Sequence, residues 1–174
     1  MSEVLDNIKS RRSIRSFKKD MVPKDKIEKI MEAGTYAASG MNVQVPIIIA
    51  ITDPEKRNSL SRTNAKIMGK DESFDPFYGA PVILLVLSLK ERPTYVQDGS
   101  LVLGNMMLAA HDLGLGSCWI HRAKEELELP EWKAWVESLG IQGEFEGVGH
   151  LALGYMEGEY PAAPERRPGR TFII

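Results

Sequence analysis

A single cysteine, Cys118, stands among 174 residues, so neither an internal disulfide nor a multi-cysteine zinc site is open to this chain. That usage fits a reducing, cytoplasmic setting. The opening MSEVLDNIKS lacks an apolar signal core, and no apolar run approaches the roughly 18 residues of a membrane span. Neither sign of charge is in large excess. The formal net charge is −2, which speaks against a broad nucleic-acid-binding face. The glycine-rich phosphate loops are missing too. There is no GxGxxG, "GLGS" at Gly114–Ser117 being too short to count as one, and no GxxxxGK[ST], which excludes the usual nucleotide triphosphatase design. The three histidines, His111, His121 and His150, have no metal-like spacing. A Cys118–His121 nucleophile pair is the one hydrolytic arrangement left, but Cys118 falls mid-strand beside Trp119, where a small cysteine packs.

What is present is an ordinary globular composition, 43% hydrophobic and 26% charged. No internal repeat, low-complexity tract or long linker interrupts it, so a single domain over residues 1–174 is expected. Val4, Leu5 and Ile8 mark one face of a first helix that Ser2 is placed to cap and that ends near Arg11. A second helix begins at "VPKDKIEKI", with Pro23 in its first turn and Ile27, Ile30, Met31 and Gly34 on one side. "VPIIIAI" (Val45–Ile51), "APVILLVLSL" (Ala80–Leu89), "LGSCWI" (Leu115–Ile120) and "VGHLALGY" (Val148–Tyr155) read as buried strands. Asp98–Leu113 is too long for a strand and apolar nearly all round, which predicts a buried central helix. "LPEWKAWVESLGI" gives a last helix with Trp132, Trp135, Val136 and Leu139 on one face and Gly140 past its end. Strands and helices mix without strict alternation, which favours α+β layers.

Three stretches gather polar groups. "RRSIRSF" (Arg11–Phe17) holds three arginines in seven residues of a slightly acidic chain. Judged alone it is either a solvated helix end or a grip on a phosphate, since the planar guanidinium fork matches phosphate oxygens and stays charged. "SGMNVQ" puts two amides, Asn42 and Gln44, beside Ser39 and Gly40, which permit close backbone approach. An ordinary turn has a similar composition. The tail "EYPAAPERRPGRTFII" is rich in proline and arginine and ends in a β-prone "TFII".

"RRSIRSF", "AASGMNVQ" (Ala37–Gln44), "YGAPVILLV" (Tyr78–Val86), "NMMLAAHDLGLGSCWI" (Asn105–Ile120) and "GHLALGY" (Gly149–Tyr155) follow one another in that order, and together they resemble the FMN-dependent nitroreductase family, in particular its short members. The resemblance implies an α+β sandwich: a central, mostly antiparallel sheet flanked by helices, with a C-terminal arm exchanged in an intertwined homodimer and FMN at the interface. It implies that Arg11 and Ser13 meet the FMN phosphate or ribityl chain, with Arg12 beside them. Arg15 would reach the pyrimidine oxygen of the ring, where negative charge gathers on reduction. Ser39, Gly40, Met41, Asn42 and Gln44 would come from the partner subunit. Trp119 and Ile120 would lead to the main-chain N–H of His121 or Arg122, which donates to the redox-active central nitrogen of the flavin. Arg166, or else Arg167, would be the last phosphate contact, and Asn64 would approach the ring. Two positions depart from the family's habit: Ala38 precedes the serine, and Val45 intervenes between Gln44 and Pro46, both where proline is usual.

The implied activity is transfer of electrons from NAD(P)H to a nitroaromatic, quinone or similar acceptor in a ping-pong cycle, with no side chain required as acid or base and no metal. Relatives specialised for dehalogenation, flavin breakdown or ring oxidation share the same site, and a non-catalytic FMN store would share it as well. Ser59–Tyr78 is the expected lid.

Overall fold

The computed structural model describes residues 2–174. Its elements run α1 (Glu3–Ser10), α2 (Lys24–Thr35), β1 (Pro46–Ile51), α3 (Pro54–Ile67), β2 (Val82–Leu89), α4 (Tyr95–Asp112), β3 (Gly116–Ile120), α5 (Ala123–Leu127), α6 (Pro130–Ser138) and β4 (Phe145–Gly154). The four strands form one sheet in the order β1-β2-β4-β3, antiparallel at every pairing. β2 is apolar on both faces because both are covered. Ile83, Leu85 and Leu87 enter one core with Leu60 of α3, Ala123 and Leu127 of α5, and Trp132 and Val136 of α6. Val82, Leu84 and Val86 enter a second core with Ile27 and Ile30 of α2 and Val102, Leu103 and Met106 of α4. The period-2 alternation of a strand therefore feeds two layers at once. The expected α+β sandwich with a flanked antiparallel sheet is observed.

Several local features differ from expectation. Ser2 occupies the N-cap of α1, but its side chain makes no capping bond. α4 is buried on one side only: Val102, Leu103 and Met106 are covered, while Leu101 remains 51% exposed. Leu139 lies past α6 and is likewise exposed. "TFII" forms no strand within this chain, and Phe172, Ile173 and Ile174 lie in the open. α2 can approach α4 because residue 34 is glycine: a Cβ there would sit 2.8 Å from Met106 Cγ and 2.9 Å from Ile48 Cδ1.

The segment expected to be a lid is largely fixed. Its first part is α3, whose N-cap Asp53 accepts a hydrogen bond from the Lys56 N–H. The rest winds around Asp75. That carboxylate accepts from the Arg57 guanidinium, the Ser61 hydroxyl and the N–H groups of Phe77 and Gly79, and Arg57 also donates to Ala80 O. A lid needs few such ties.

Candidate functional site

The strip Arg11–Phe17 leaves the end of α1 and lies along the sheet. Ile14 and Phe17 are buried and pin it down. Ser13 bridges to Ser117 in parallel, the Ile14 N–H donates to Ser117 O at 3.0 Å, and Phe17 bridges to Met156. Arg11, Arg12 and Ser13 precede these anchors, and Arg15 lies between them. Arg11, Arg12, Ser13 and Arg15 share a groove of about 400 Å³ with Pro161, Ala162, Pro164 and Arg166 of the tail. Arg166 joins the groove; Arg167 is not among its lining residues. Among the described residues none of these four arginines makes an ion pair. Nη1 of Arg11 and Nε of Arg12 are buried with no hydrogen-bond partner. Buried donors left unmade are costly, and the two side chains that carry them line a concave surface with four arginines and no carboxylate. An anion with several oxygens fits that donor set. Arg12 is partly committed elsewhere: its Nη1 lies 2.7, 2.9 and 2.8 Å from the carbonyl oxygens of Lys9, Ser10 and Arg11, where it satisfies the C-terminus of α1.

The tail reaches the groove because Tyr160 is held at its root. The Tyr160 hydroxyl donates to Ser10 O at 3.0 Å and accepts from the Arg12 N–H at 2.9 Å. Its ring stacks on His111, centroids 5.9 Å apart and planes at 21°, and His111 Nε2 lies 2.7 Å from Ser10 Oγ. Partial burial, then the charges of Arg11 and Arg12, lower the His111 pKa from 6.5, against a smaller opposing pull from Asp112. A histidine whose folded pKa is lowered contributes stability that is complete above its unfolded value and is lost as pH falls below it. Amide exchange in the tail, corrected for intrinsic rates, is therefore expected to accelerate as pH falls below about 6.5. His111→Gln should abolish that dependence, and an unchanged profile in the variant would refute the part given to His111 in fastening the tail.

The loop Ser39–Gln44 lies apart from the arginine groove and lines other hollows. One, of about 140 Å³, is bounded by Ser39, Gln44, Ala38, Pro46, Asp98 and neighbours. Met41, Asn42 and Gln44 all have positive φ, at 51°, 58° and 57°. Side chains rarely adopt this conformation, and it costs energy unless the surroundings impose it. The loop's own bonds impose it here: the Gln44 N–H donates to Ser39 Oγ, Gln44 Nε2 donates to Asn42 Oδ1, and the Gly40 N–H donates to the buried carboxylate of Asp98. A Cβ at Gly40 would lie 2.4 Å from Thr94 Oγ1. The Asn42 and Gln44 side chains are exposed, so this strained loop presents two amides outward.

The end of β3 forms the third cluster. Trp119 is half-buried and packs in the α4-side core against Gly149, so it acts as a core residue, and Ile120 is buried. His121 is exposed and Arg122 half-buried, with Arg122 in the left-handed region at φ 81°. Asn64 is fully buried, with its amide donating to His121 O and to Glu126. It sits behind the strand end, tied to the His121 carbonyl and to Glu126. Glu126 and His150, neither signalled as a site by sequence, complete this buried group. Cys118 is 3% exposed. Burial pushes its thiol up against the opposing influences of Arg15, Ser13 and Arg11, which disfavours the thiolate that nucleophilic work needs.

The Nitroreductase family profile matches residues 8–155, which includes the arginine strip, the amide loop and the β3 end. The chain belongs to the nitroreductase family. A nitroreductase with bound FMN from Bacteroides fragilis superposes over the whole of both chains with a TM-score of 0.91 and 30% identity. A protein of Archaeoglobus fulgidus named for NADH dehydrogenase or NAD(P)H nitroreductase activity is 32% identical over 98% of this chain and 97% of its own length. A similarly named protein of Methanothermobacter thermautotrophicus is 34% identical over 67% of this chain, but the match spans only 60% of that longer relative. Within the nitroreductase family, then, the arginine groove is a place where this chain offers unpaired donors. No helix among the described residues is long and apolar enough to cross a membrane, and no group of three or more potential metal ligands gathers there.

Proposed function

We infer that this nitroreductase-family chain is an FMN-dependent oxidoreductase that passes electrons from NAD(P)H to a small electron-poor acceptor, such as a nitroaromatic or quinone, in alternating half-reactions. The observation that carries the reading is the arginine groove, with its orphaned Arg11 and Arg12 donors and no carboxylate to neutralise it. FMN, when bound, supplies the hydride chemistry. The chain supplies the rest. Arg11, Ser13 and Arg166 hold the phosphate, Arg12 braces α1 and lends its free Nε, and Arg15 places a fixed cation where negative charge develops. The main chain at His121 and Arg122 offers N–H groups to the ring.

The amide loop Ser39–Gln44 completes the pocket of a second copy. Its separation from the arginine groove within one chain supports that arrangement, as do the uncovered apolar residues Val4, Leu5, Ile8 and Leu101 and the exposed Phe172–Ile174. Exposed apolar area of this kind calls for a cover, and a symmetric partner is the commonest one.

The decisive experiment is a visible spectrum of the purified protein, followed by anaerobic addition of NADH and NADPH in turn, with its mass in solution measured alongside. The expected result is a yellow dimer with about one FMN per chain, bleached by at least one of the two. A colourless protein that takes up no added FMN would defeat the reading. Bound FMN that neither nucleotide reduces would replace it with that of a flavin store.

A further inference from the structure

β4 holds two ionisable residues, the half-buried Glu146 near its start and His150 within its apolar stretch "VGHLALG". His150 is 0% exposed, and so are Glu126 of α5 and Asn64 of α3. Moving an imidazole, a carboxylate and an amide out of water is costly unless they partner one another. These three come from distant parts of the chain and meet at one place. His150 Nε2 is 2.7 Å from Glu126 Oε2 without the alignment of a hydrogen bond, Asn64 Nδ2 donates to Glu126 Oε1, and the ring of Phe77 closes edge-on against His150 at 5.3 Å.

The outer surface of this cluster is the backbone at the end of β3. Asn64 Nδ2 also donates to His121 O at 3.0 Å, and His150 Nδ1 lies 3.4 Å from Ile120 O. Two successive carbonyls are therefore drawn inward. In a trans peptide plane the N–H points opposite to the C=O. The N–H groups of His121 and Arg122 share planes with those two carbonyls, so they are turned outward. Among the described residues neither N–H has an acceptor in the main chain. Arg122 is left-handed at φ 81° and turns the chain into α5. Gly147 makes room for it on the other side: a Cβ there would sit 2.1 Å from Ala123 O.

We propose that Asn64, Glu126 and His150 are positioning residues whose buried contacts hold the Ile120–His121 and His121–Arg122 peptide planes so that two main-chain N–H groups face the flavin ring. This rests on the flavin reading above. An N–H aimed at the central ring nitrogen pairs with its lone pair in the oxidised cofactor, and the pairing weakens once that nitrogen carries its own hydrogen. Loosening the turn should therefore remove a preference for oxidised FMN and raise the midpoint potential.

The test uses FMN-loaded wild type, Asn64→Leu, Glu126→Gln and, as a control for lost stability, Ile30→Ala in the opposite core. Asn64→Leu and Glu126→Gln are each expected to favour reduction about tenfold, which is about 30 mV upward for a two-electron couple. Exchange protection of the His121 and Arg122 amides in the loaded protein should fall at least tenfold. Ile30→Ala should lower the melting temperature and move neither quantity. A potential unchanged or lowered in the cluster variants, or raised equally by Ile30→Ala, overturns the proposal. So does failure of both cluster variants to fold while Ile30→Ala folds, since the cluster would then be a stability element only. Wild-type protein that takes up no FMN overturns the flavin reading itself.

Discussion

Asp75→Ala is expected to cost about 3 kcal/mol of folding stability and to open residues 71–79 to proteolysis, although Asp75 lies on a surface loop. The reason is what its carboxylate holds. Arg57 is 9% exposed, and its guanidinium is paired with Asp75. Removing one partner of a buried ion pair strands the other charge, at roughly 3–5 kcal/mol. Asp75 keeps 30% of its side chain exposed, which puts the loss at the lower end. The Ser61 hydroxyl and the N–H groups of Phe77 and Gly79 lose their acceptor at the same time. Asp75→Asn, which keeps the shape and one acceptor oxygen, should lose distinctly less. The pH dependence follows the same balance. Burial alone would raise the Asp75 pKa, but the hydrogen bonds from Arg57 and Ser61, the Arg57 charge and the Gly79 N–H outweigh it and leave the pKa below 3.8. A carboxylate with a lowered folded pKa contributes stability that is present above its unfolded value and is lost as pH falls through the folded one. Denaturant midpoints measured for the wild type and Asp75→Ala should therefore converge as pH falls below the ordinary carboxylate value of about 3.9. Equal midpoints at neutral pH would show that the loop is free, as a lid would be.

The misreading of this loop shows where sequence stops informing structure. β2, "VILLVLSL", is legible because composition alone decides it: eight residues that are nearly all branched or leucine leave only a buried strand. α3 is illegible by the same logic. Its buried positions include Arg57, Ser61 and Asn64, so the polar residues that look solvent-facing point inward. Their burial is possible only because Asp75 and Glu126 supply partners 18 and 62 positions further along the chain. No local pattern carries that information. His150 has the same character: within an apolar strand it reads as a misplaced residue until Glu126 and the carbonyl of Ile120 are brought to it. The arginine strip was legible as a charge cluster bracketed by Ile14 and Phe17, which become its buried anchors. That Arg166 and not Arg167 lines the groove depends on where Tyr160 fastens the tail, and the turning back of Arg12 follows from the open carbonyls at the end of α1. Both depend on neighbours that only the fold assembles.

Arg11→Ala is expected to weaken FMN binding by about 1.5–3 kcal/mol, the range for a hydrogen bond to a charged group, or roughly 10- to 150-fold in Kd. Arg11 stands in the groove with a buried Nη1 that has no partner within the chain, so the donor is desolvated before any ligand arrives. Its bond to a phosphate oxygen then meets little competition from water. Arg12→Ala should act differently. Much of that guanidinium is spent on the carbonyls of Lys9, Ser10 and Arg11, so its loss should fray α1 and weaken FMN less than Arg11→Ala. Lys18 and Lys19 are exposed beyond the strip and line no part of the groove. Their alanine variants should change affinity only through long-range attraction, which salt at about 0.15 M screens within about 8 Å. Fluorescence titration of FMN into the four apo-variants at that salt separates the cases. Losses graded as Arg11, then Arg12, then the lysines would mark a phosphate held by placed donors. Four equal losses would mean that the groove attracts anions by charge alone, and the assignment of Arg11 as the phosphate contact would be wrong.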